Sequence, residues 1–452
     1  MYLKIASPNQ FSSLIELTKN SLRISYINYL KNYWFFILYF VMKKTRFYLV
    51  KLPVISITIF FFCCVFGCNS KPVNSSLLHE ILKDSKEPII KKVLSDLNSH
   101  EVQILYTRIH RDSSGLPKFE NHTFQENAKQ YFYPASTVKL PVAILALQKI
   151  RKLQSQGIPI KADTPFTVLF SENMIVKTDS THPKNKLTIS HLIKKIFLVS
   201  DNTAYNYLFD FIGRDDANNA IHNIGITNFN LSHKFSDADN KYSTPRFIFF
   251  NQNGDTLYNQ APITSIQKIN NPHLDGVLKG KGYVKGGTVI EKPMNFSEKN
   301  YASITALHQI LERIIFPKLF SKKEQFTIEP EDYFFLRYWM SRTPNEVAIP
   351  FYDRETFFDS YGKFFIYGDK KGAMTNTTRI YNKVGLAYGT ATDVAYVKDR
   401  NGIEFFLTAT ILTNKNEIFN DNAYEYDQLG IPFLAALGRE LYEFEKNKNS
   451  VK

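Results

Sequence analysis

A serine and a lysine three positions apart are the first residues of this sequence whose types and spacing could do covalent chemistry. Ser136 and Lys139 form an S-x-x-K motif at the start of an apolar run, residues 140–153. On a helix, positions i and i+3 share a face, so the two side chains would touch. A serine hydroxyl is a weak nucleophile until a neighbouring base takes its proton. An ordinary exposed first turn of a helix would also explain so short a motif.

Two further tripeptides carry polar groups that such a nucleophile would need. Ser200-Asp201-Asn202 joins one helical pattern to the next, and Lys383 begins a Lys-Val-Gly sequence late in the chain. Taken singly, each has a structural explanation, because Ser, Asp and Asn are common helix caps and a strand lysine usually faces solvent. Their order after the S-x-x-K motif is what favours a functional interpretation.

Helical patterns surround the first two motifs, and strand patterns surround the third. Thr188 is placed to cap an amphipathic stripe, and Gly213 ends the helix that follows Asn202. We expect helices over 77–97, 140–153, 189–197, 203–212 and from Pro432 onwards, and strands over 102–109, within 117–133, and over 380–384, 392–397 and 403–412.

The position of these elements along the chain predicts the fold class. Two strands come early and three come late, with helices between them. We therefore predict an α/β (α+β) domain with a five-stranded antiparallel sheet built from both chain ends and flanked by helices. A mostly helical lobe is inserted, and the active site lies in the groove between sheet and lobe.

The three motifs in this order resemble the active-site set of class A β-lactamases and penicillin-binding proteins. Their surroundings agree: residues 188–213 look like the paired helices around S-D-N in that family, and residues 388–393 look like its penultimate strand pair. The resemblance covers about residues 77–232 and 301–445. It implies acyl transfer to Ser136 and then to water, with no metal or organic cofactor.

The resemblance also assigns roles to single residues. Ser136 is the nucleophile, and Lys139 is the base if burial and neighbouring cations lower its pKa. Ser200 relays the proton toward the leaving nitrogen, and Asn202 holds Lys139 and the substrate amide. Lys383 supplies positive charge for the substrate carboxylate. The oxyanion hole consists of the backbone N–H groups of Ser136 and of Leu386, which follows Gly385.

Two departures from the family put fast β-lactam turnover in doubt. Val384 stands where the family has a hydroxyl residue that binds the substrate carboxylate. Class A enzymes also place a water-activating Glu, followed four positions later by Asn, soon after S-D-N. Here a long insertion, about residues 233–300, follows instead, with a hairpin expected to turn on Asn253-Gly254. Glu291 fits the E-x-x-x-N spacing, but it lies much farther along the chain from S-D-N than in the family, which favours a coincidental match. Asp237 and Asp239 are alternatives in the same insertion.

Charge and cysteine positions point to export rather than to nucleic acid. Half of the net charge of +14 lies in residues 1–67, which contain eight basic residues and one acidic residue. The remainder has no basic stripe or stacking-aromatic motif, so we expect no nucleic-acid partner. All three cysteines lie between residues 63 and 68, so we expect no disulfide beyond them.

An export signal is predicted from Met42. A basic start, the apolar run 47–67 and Cys68 resemble a bacterial lipoprotein signal, in which Cys68 becomes the lipidated first residue. A transmembrane anchor is the alternative, because the run is long enough to span a bilayer. Residues 1–41 are then an extension upstream of the true start or, alternatively, part of a two-part membrane segment. Residues 42–67 form the signal, 68–76 a tether and 77–452 the hydrolase domain.

Three functions remain open on the sequence. The first is hydrolysis of β-lactams by an exported, periplasmic enzyme held to a membrane by its lipid. The second is a cell-wall enzyme acting on D-Ala-terminated peptides. The third is an anchored binding protein with a relic site, although an intact Ser-Lys-Ser-Asn-Lys set argues against loss of catalysis. The sequence indicates neither the oligomeric state nor which membrane carries the lipid.

Overall fold

The computed structural model describes residues 73–74, 76–235, 242–372, 374–375 and 377–449. The predicted upstream extension, signal segment and lipidated Cys68 lie outside these residues, as do Asp237 and Asp239. No helix in the described ranges is long and apolar enough to cross a membrane.

A sheet of five long antiparallel strands forms the centre of the described structure, as predicted. Its strand order is β3-β2-β16-β15-β14, so the first and last parts of the chain meet where β2 pairs with β16. A two-residue strand, β1, adds a short parallel pairing to the outer edge of β3. The strands are β1 (Val73–Asn74), β2 (Gln103–Arg111), β3 (Pro117–Phe124), β14 (Thr378–Ala387), β15 (Thr390–Asp399) and β16 (Glu404–Leu412).

Helices cover both faces of the sheet, which explains why β15 and β16 are buried along almost their whole length. Leu307 and Leu311 belong to the core on one face, and Leu434 and Leu437 belong to the core on the other. The helices are α1 (Ser76–Asp84), α2 (Pro88–Leu94), α3 (Leu97–His100), α4 (Lys139–Ser155), α5 (Ile189–Val199), α6 (Asn202–Ile212), α7 (Arg214–Asn223), α8 (Ile304–Ile315), α9 (Pro330–Met340) and α10 (Ile431–Asn449).

The predicted helical region 77–97 is divided into α1, α2 and α3. Pro88 starts α2 because a proline has no N–H to donate and is tolerated in the first turn. Asp96 then caps α3 by accepting from Ser99 N at 3.4 Å. The apolar residues thus follow a helical pattern throughout, but Pro88 and the Asp96 cap divide the region into three helices.

The mostly helical lobe and its insertion, about residues 233–300, contain more strands than the sequence analysis predicted. The hairpin on Asn253-Gly254 is confirmed, with Gly254 at φ +91° in the turn. One of its strands also pairs with Phe166–Ser171, a strand that the sequence analysis missed because its partner lies far along the chain. The remaining strands of the described chain are β4 (Phe166–Ser171), β5 (Met174–Val176), β6 (Phe229–Asn230), β7 (Arg246–Phe250), β8 (Thr256–Gln260), β9 (Leu278–Lys279), β10 (Gly282–Lys285), β11 (Thr288–Ile290), β12 (Met294–Asn295), β13 (Tyr301–Ala302) and β17 (Ile418–Phe419).

The insertion leaves and rejoins the helical layer at one point. β6 and β13 pair antiparallel, with Phe229 opposite Ala302 and Asn230 opposite Tyr301. This pairing brings the start of the insertion next to its end, so the chain leaves the helical layer after α7 and returns to it at α8 close to the same place.

Candidate active site

Ser136 lies in a tight turn at the entrance to α4. Residues Ala135–Val138 form a 3₁₀ turn, and Lys139 is the first residue of the α-helix. Ala135 has φ +46°, a left-handed conformation that is uncommon for a residue with a Cβ atom. The Thr137 hydroxyl donates to Pro134 O at 2.6 Å and holds the turn. The α-helix thus begins at Lys139, three residues after Ser136, and the first part of the motif lies in the 3₁₀ turn. In a 3₁₀ turn, positions i and i+3 lie on the same side, so Ser136 and Lys139 still do.

The Ser200-Asp201-Asn202 link is both a structural junction and part of the site. Ser200 ends α5 at φ +57°, and the Asp201 side chain caps α6 by accepting from Ala204 N at 2.7 Å. This sharp reversal leaves the side chains on either side of Asp201 facing Lys139. Asp201 therefore serves as a helix cap, whereas the side chains of Ser200 and Asn202 belong to the candidate site.

Lys139 is buried and makes three hydrogen bonds to that link. Its Nζ donates to Asn202 Oδ1 at 2.7 Å, to Ser200 Oγ at 3.3 Å and to the Ser200 carbonyl oxygen. Burial lowers the pKa of Lys139 to about 7, with the charge of Asp201 opposing the shift. A lysine in this state can accept a proton near neutral pH.

The Ser136 hydroxyl has no hydrogen bond to Lys139 among the contacts of the described residues. Catalytic hydrogen bonds often tighten only when substrate is in place. The short turn between Ser136 and Lys139 keeps the two residues on the same side of the chain, with Ser136 lining the cleft and Lys139 buried behind it.

Lys383 completes the set from the sheet. Its Nζ donates to Ser200 Oγ at 2.9 Å and to Val384 O at 2.8 Å, and the residue is 3% exposed. The solvent-facing alternative for this strand lysine is therefore wrong. Burial and the nearby Lys139 lower the pKa of Lys383 well below its usual value, and Asp393 opposes this shift.

Gly385 allows the sheet to approach the serine turn. A Cβ atom on this residue would lie 2.7 Å from Pro134 O and 3.0 Å from Ser136 N. These distances are too short for any side chain, so glycine is required for close contact between β14 and the turn. The contact places the Ser136 amide beside the strand segment that contains Leu386, which is where an oxyanion hole is expected.

A buried polar cluster behind Lys383 was not recognised in the sequence. Asn382 accepts from Lys363 Nζ at 2.7 Å and donates to Asp393 Oδ1 at 2.8 Å. Asp393 also accepts from Phe364 N and Phe365 N, each at 3.2 Å. Burial raises the pKa of Asp393 to about 6 and lowers that of Lys363 to about 7. Lys363 stands in an aromatic segment with no motif around it, so no sequence signal pointed to the cluster.

Ser136 and Ser200 open into a cleft of about 1180 Å³. Aromatic side chains form much of its wall, and Val384 and Leu386 line it from β14. The charged residues among its described lining are Lys234, Lys299, Lys371 and Asp427. A second cavity of about 660 Å³ lies between α4 and α7 and contains none of the motif residues.

Glu291 is not brought to this cleft. It is exposed between β11 and β12, and it is absent from the described lining. The E-x-x-x-N spacing therefore does not produce a carboxylate near Ser136, in agreement with the interpretation that the match is coincidental. Within the described ranges, no group of three or more His, Cys, Asp or Glu side chains is arranged to hold a metal ion.

Comparisons with known proteins place these motifs in a family. The model described as the beta-lactamase enzyme family matches residues 87–444, a range that contains all three motifs. No curated protein sequence matches the chain significantly.

Several solved structures are similar to the chain at low identity. One is a class A beta-lactamase from Bacteroides cellulosilyticus, 15% identical, with 82% of this chain and 98% of that chain covered and a TM-score of 0.46. A beta-lactamase from Desulfarculus baarsii is 14% identical, with 82% and 98% covered and a TM-score of 0.45. A third, from Streptosporangium roseum, is 14% identical, with 80% and 98% covered and a TM-score of 0.44.

Proposed function

The chain belongs to the beta-lactamase enzyme family, and from this premise we propose that it is a serine hydrolase that is acylated by β-lactams at Ser136. The observation that carries the proposal is the environment of Lys139. This lysine is buried, has a pKa of about 7 and is hydrogen-bonded to both Ser200 and Asn202. Such a lysine beside a serine in a cleft is suited to activating a hydroxyl nucleophile.

Acylation begins with proton transfer from Ser136 Oγ to neutral Lys139 Nζ, which as an amine donates only two of its three hydrogen bonds and offers its lone pair to that proton. The oxygen attacks the β-lactam carbonyl carbon, and the oxyanion accepts hydrogen bonds from the N–H groups of Ser136 and Leu386. The C–N bond then breaks, and the nitrogen takes a proton from Ser200, which is replaced from Lys139. Ser200 Oγ already accepts from Lys139 and Lys383, so its own hydrogen is available to the leaving nitrogen.

Deacylation is proposed to be slow. Class A enzymes use a carboxylate to activate the second water, but Glu291 is exposed outside the cleft. Asp427, the carboxylate in the described lining, is exposed on the π-helical turn Tyr426–Gly430 and stands in no E-x-x-x-N motif. We assign the role of base in this step to neutral Lys139. We therefore expect an acyl-enzyme that persists long enough to be isolated.

Intact-protein mass spectrometry tests this function. The protein is mixed with benzylpenicillin and, separately, with a chromogenic cephalosporin, and mass and absorbance are followed in time. We expect an adduct with the mass of the whole penicillin, which disappears over minutes to hours. Absence of an adduct together with absence of hydrolysis would reject the proposal. Rapid hydrolysis without a detectable adduct would retain β-lactam hydrolysis and reject slow deacylation.

A second candidate function is cleavage of D-Ala-terminated cell-wall peptides. It is favoured by Val384, which removes a hydroxyl from the predicted carboxylate site, and by the lack of a described carboxylate beside Ser136. A persistent penicilloyl adduct is what such an enzyme would form. Release of D-alanine from a peptide ending in D-Ala-D-Ala would support this candidate, and its absence in the presence of β-lactam turnover would reject it.

A further inference from the structure

Two lysines lie along the strand that borders the site. Lys383 lies near the middle of β14, and Lys299 lines the cleft beside Tyr388, just past the end of that strand. Lys299 Nζ is 5.1 Å from the centre of the Tyr388 ring and 3.5 Å from its hydroxyl oxygen. No carboxylate within the described part of the chain forms an ion pair with Lys299. An ammonium on an aromatic face in a cleft keeps its capacity to bind an anion.

The backbone that carries Lys299 is anchored by buried amides. Lys299 O accepts from Asn271 Nδ2 at 3.2 Å, and Lys299 N donates to Phe296 O at 2.9 Å. Next to it, the fully buried Asn300 accepts from Ser232 N at 2.7 Å. These contacts fix the backbone at Lys299, so its side chain extends from an ordered position rather than from a free loop, and its ammonium group is preorganised.

The aromatic platform under the lysine is also held in place. Tyr388 lies in the hairpin turn between β14 and β15 at φ +52°. Its ring meets Tyr133 edge-on at a centroid distance of 5.0 Å and Phe296 at 5.4 Å. Tyr133 precedes the Ser136 turn by three residues, so the platform is continuous with the wall of the reaction centre.

Strand β14 sets the distances between the three binding elements. A strand rises roughly 3.3 Å per residue, so Leu386 lies about 10 Å from Lys383, and Tyr388 lies in the turn just beyond the end of the strand. A substrate extended along the strand places its carboxylate near Lys383 and its reacting carbonyl near Leu386. Its acyl side chain then extends toward Tyr388 and Lys299.

We propose that Lys299 binds a carboxylate on the acyl side chain of the substrate, so that the preferred substrates carry two negative charges. This inference rests on the proposed acylation of Ser136 and specifies its substrate class. The described lining supports it: Lys234 is paired with Asp210, and the remaining charged side chains, Lys299 and Lys371 against Asp427, leave the cleft with a positive balance.

Two cephalosporins that differ only at the end of the acyl side chain provide the test. The 7-glutaryl compound ends in a carboxylate, and the 7-valeryl compound ends in a methyl group at the same position. Second-order acylation rates are measured by intact mass or by competition with a fluorescent penicillin. We expect the wild-type protein to react about tenfold faster with the glutaryl compound, the usual scale of one charge-assisted contact.

Lys299→Met should reduce this ratio to within twofold of one. Lys292→Met is the matched control, because Lys292 is an exposed lysine of the same insertion that does not line the cleft; it should keep the wild-type ratio. A wild-type ratio within twofold of one, or a ratio near ten in Lys299→Met, would overturn the inference and leave the proposed function intact. If neither compound nor benzylpenicillin acylates the protein, the proposed function fails and the inference fails with it.

Discussion

At the scale of single residues, the protonation state of Lys139 decides whether Ser136 can react. An ordinary lysine, with a pKa of 10.5, is neutral in only about one molecule in 3000 at pH 7. Burial lowers the pKa of Lys139 to about 7, so about half of the molecules hold the neutral base at that pH. Burial is costly for a cation, and the hydrogen bonds to Ser200 and Asn202 offset part of that cost.

The first prediction is a pH dependence of acylation. The neutral amine is the active form, so the acylation rate should rise with pH, reach half of its maximum near pH 7 and level off above it. Lys139→Arg keeps the positive charge but cannot supply a neutral base, so acylation should fall by about 10²–10⁴-fold. Stopped-flow or quench measurements with benzylpenicillin between pH 5 and 9 give the profile. A rate that is flat across this range would contradict the assignment of Lys139.

The second prediction concerns Glu291. Because its carboxylate is exposed outside the cleft, Glu291→Gln should acylate and deacylate within about twofold of the wild-type rates. A positioned general base would instead be worth about 10²–10⁴ in rate. The decay of the penicilloyl adduct, followed by intact mass, distinguishes the two cases. Accumulation of adduct in the mutant alone would assign Glu291 a catalytic role that the structure does not support.

At the scale of elements, the close approach of β14 to the Ser136 turn connects the sheet with the helical layer. Gly385 makes this approach possible because its missing side chain leaves room for Pro134 O and Ser136 N. The same contact brings Lys383 within 2.9 Å of Ser200 Oγ. One small residue thus controls the alignment of all three motifs.

The third prediction is that Gly385→Ala disrupts this alignment. A new Cβ atom must push β14 away from the turn, and a misplacement of about 1 Å at a reaction centre can cost about 100-fold in rate. Overpacking should also cost about 1–3 kcal/mol of unfolding free energy, measurable by urea denaturation. Gly372→Ala is the control, because a Cβ there meets open space. Acylation by Gly385→Ala within threefold of wild type would refute this role.

Several elements could be predicted because their signals are local. Thr188 caps α5 by accepting from His191 N at 3.2 Å, as its position before an amphipathic stripe indicates. The Asn253-Gly254 turn likewise identifies its own hairpin. By contrast, Phe166–Ser171 becomes a strand through pairing with β7, about 80 residues farther along, and no local pattern reveals that partner.

The candidate site was predictable for a related reason. Ser136, Ser200 and Lys383 stand in short motifs whose order is informative. The structure brings Ser136 and Ser200 to one cleft, and the buried Lys383 is hydrogen-bonded to Ser200. The supporting residues Lys363, Asn382 and Asp393 could not be recognised as a cluster, because their contacts depend on how β14 and β15 pair. Burial, which sets the pKa of Lys139, is likewise a property of the folded chain.

At the scale of the whole molecule, the site depends on both ends of the described chain. The sheet joins β2 to β16, so the wall that carries Lys383 cannot form without the early strands. Half of the net positive charge of +14 lies upstream of this domain, in residues 1–67. The positive charge is therefore concentrated in the short proposed export segment, and an equal excess is spread over the much longer remainder of the chain.

The fourth prediction is that the protein is exported and anchored through a lipid on Cys68. The basic start, the apolar run and the small residue before Cys68 support this proposal. Cys68→Ser should prevent incorporation of a labelled fatty acid and release the domain from membranes. Fractionation and metabolic labelling measure both effects. A Cys68→Ser protein that remains with membranes after signal cleavage would argue for another anchor.

The site of covalent labelling tests the central claim most directly. Trypsin cuts after Lys129 and after Lys139, so residues 130–139 form one peptide that contains Ser136. The protein reacts briefly with benzylpenicillin, acid stops the reaction, and the denatured protein is digested with trypsin. Fragmentation of the peptide should then locate the penicilloyl group on Ser136, and Ser136→Ala should carry none. Thr137→Ala, which retains the nucleophile, should still be labelled. A penicilloyl group on any other residue, or undiminished labelling of Ser136→Ala, would contradict the account.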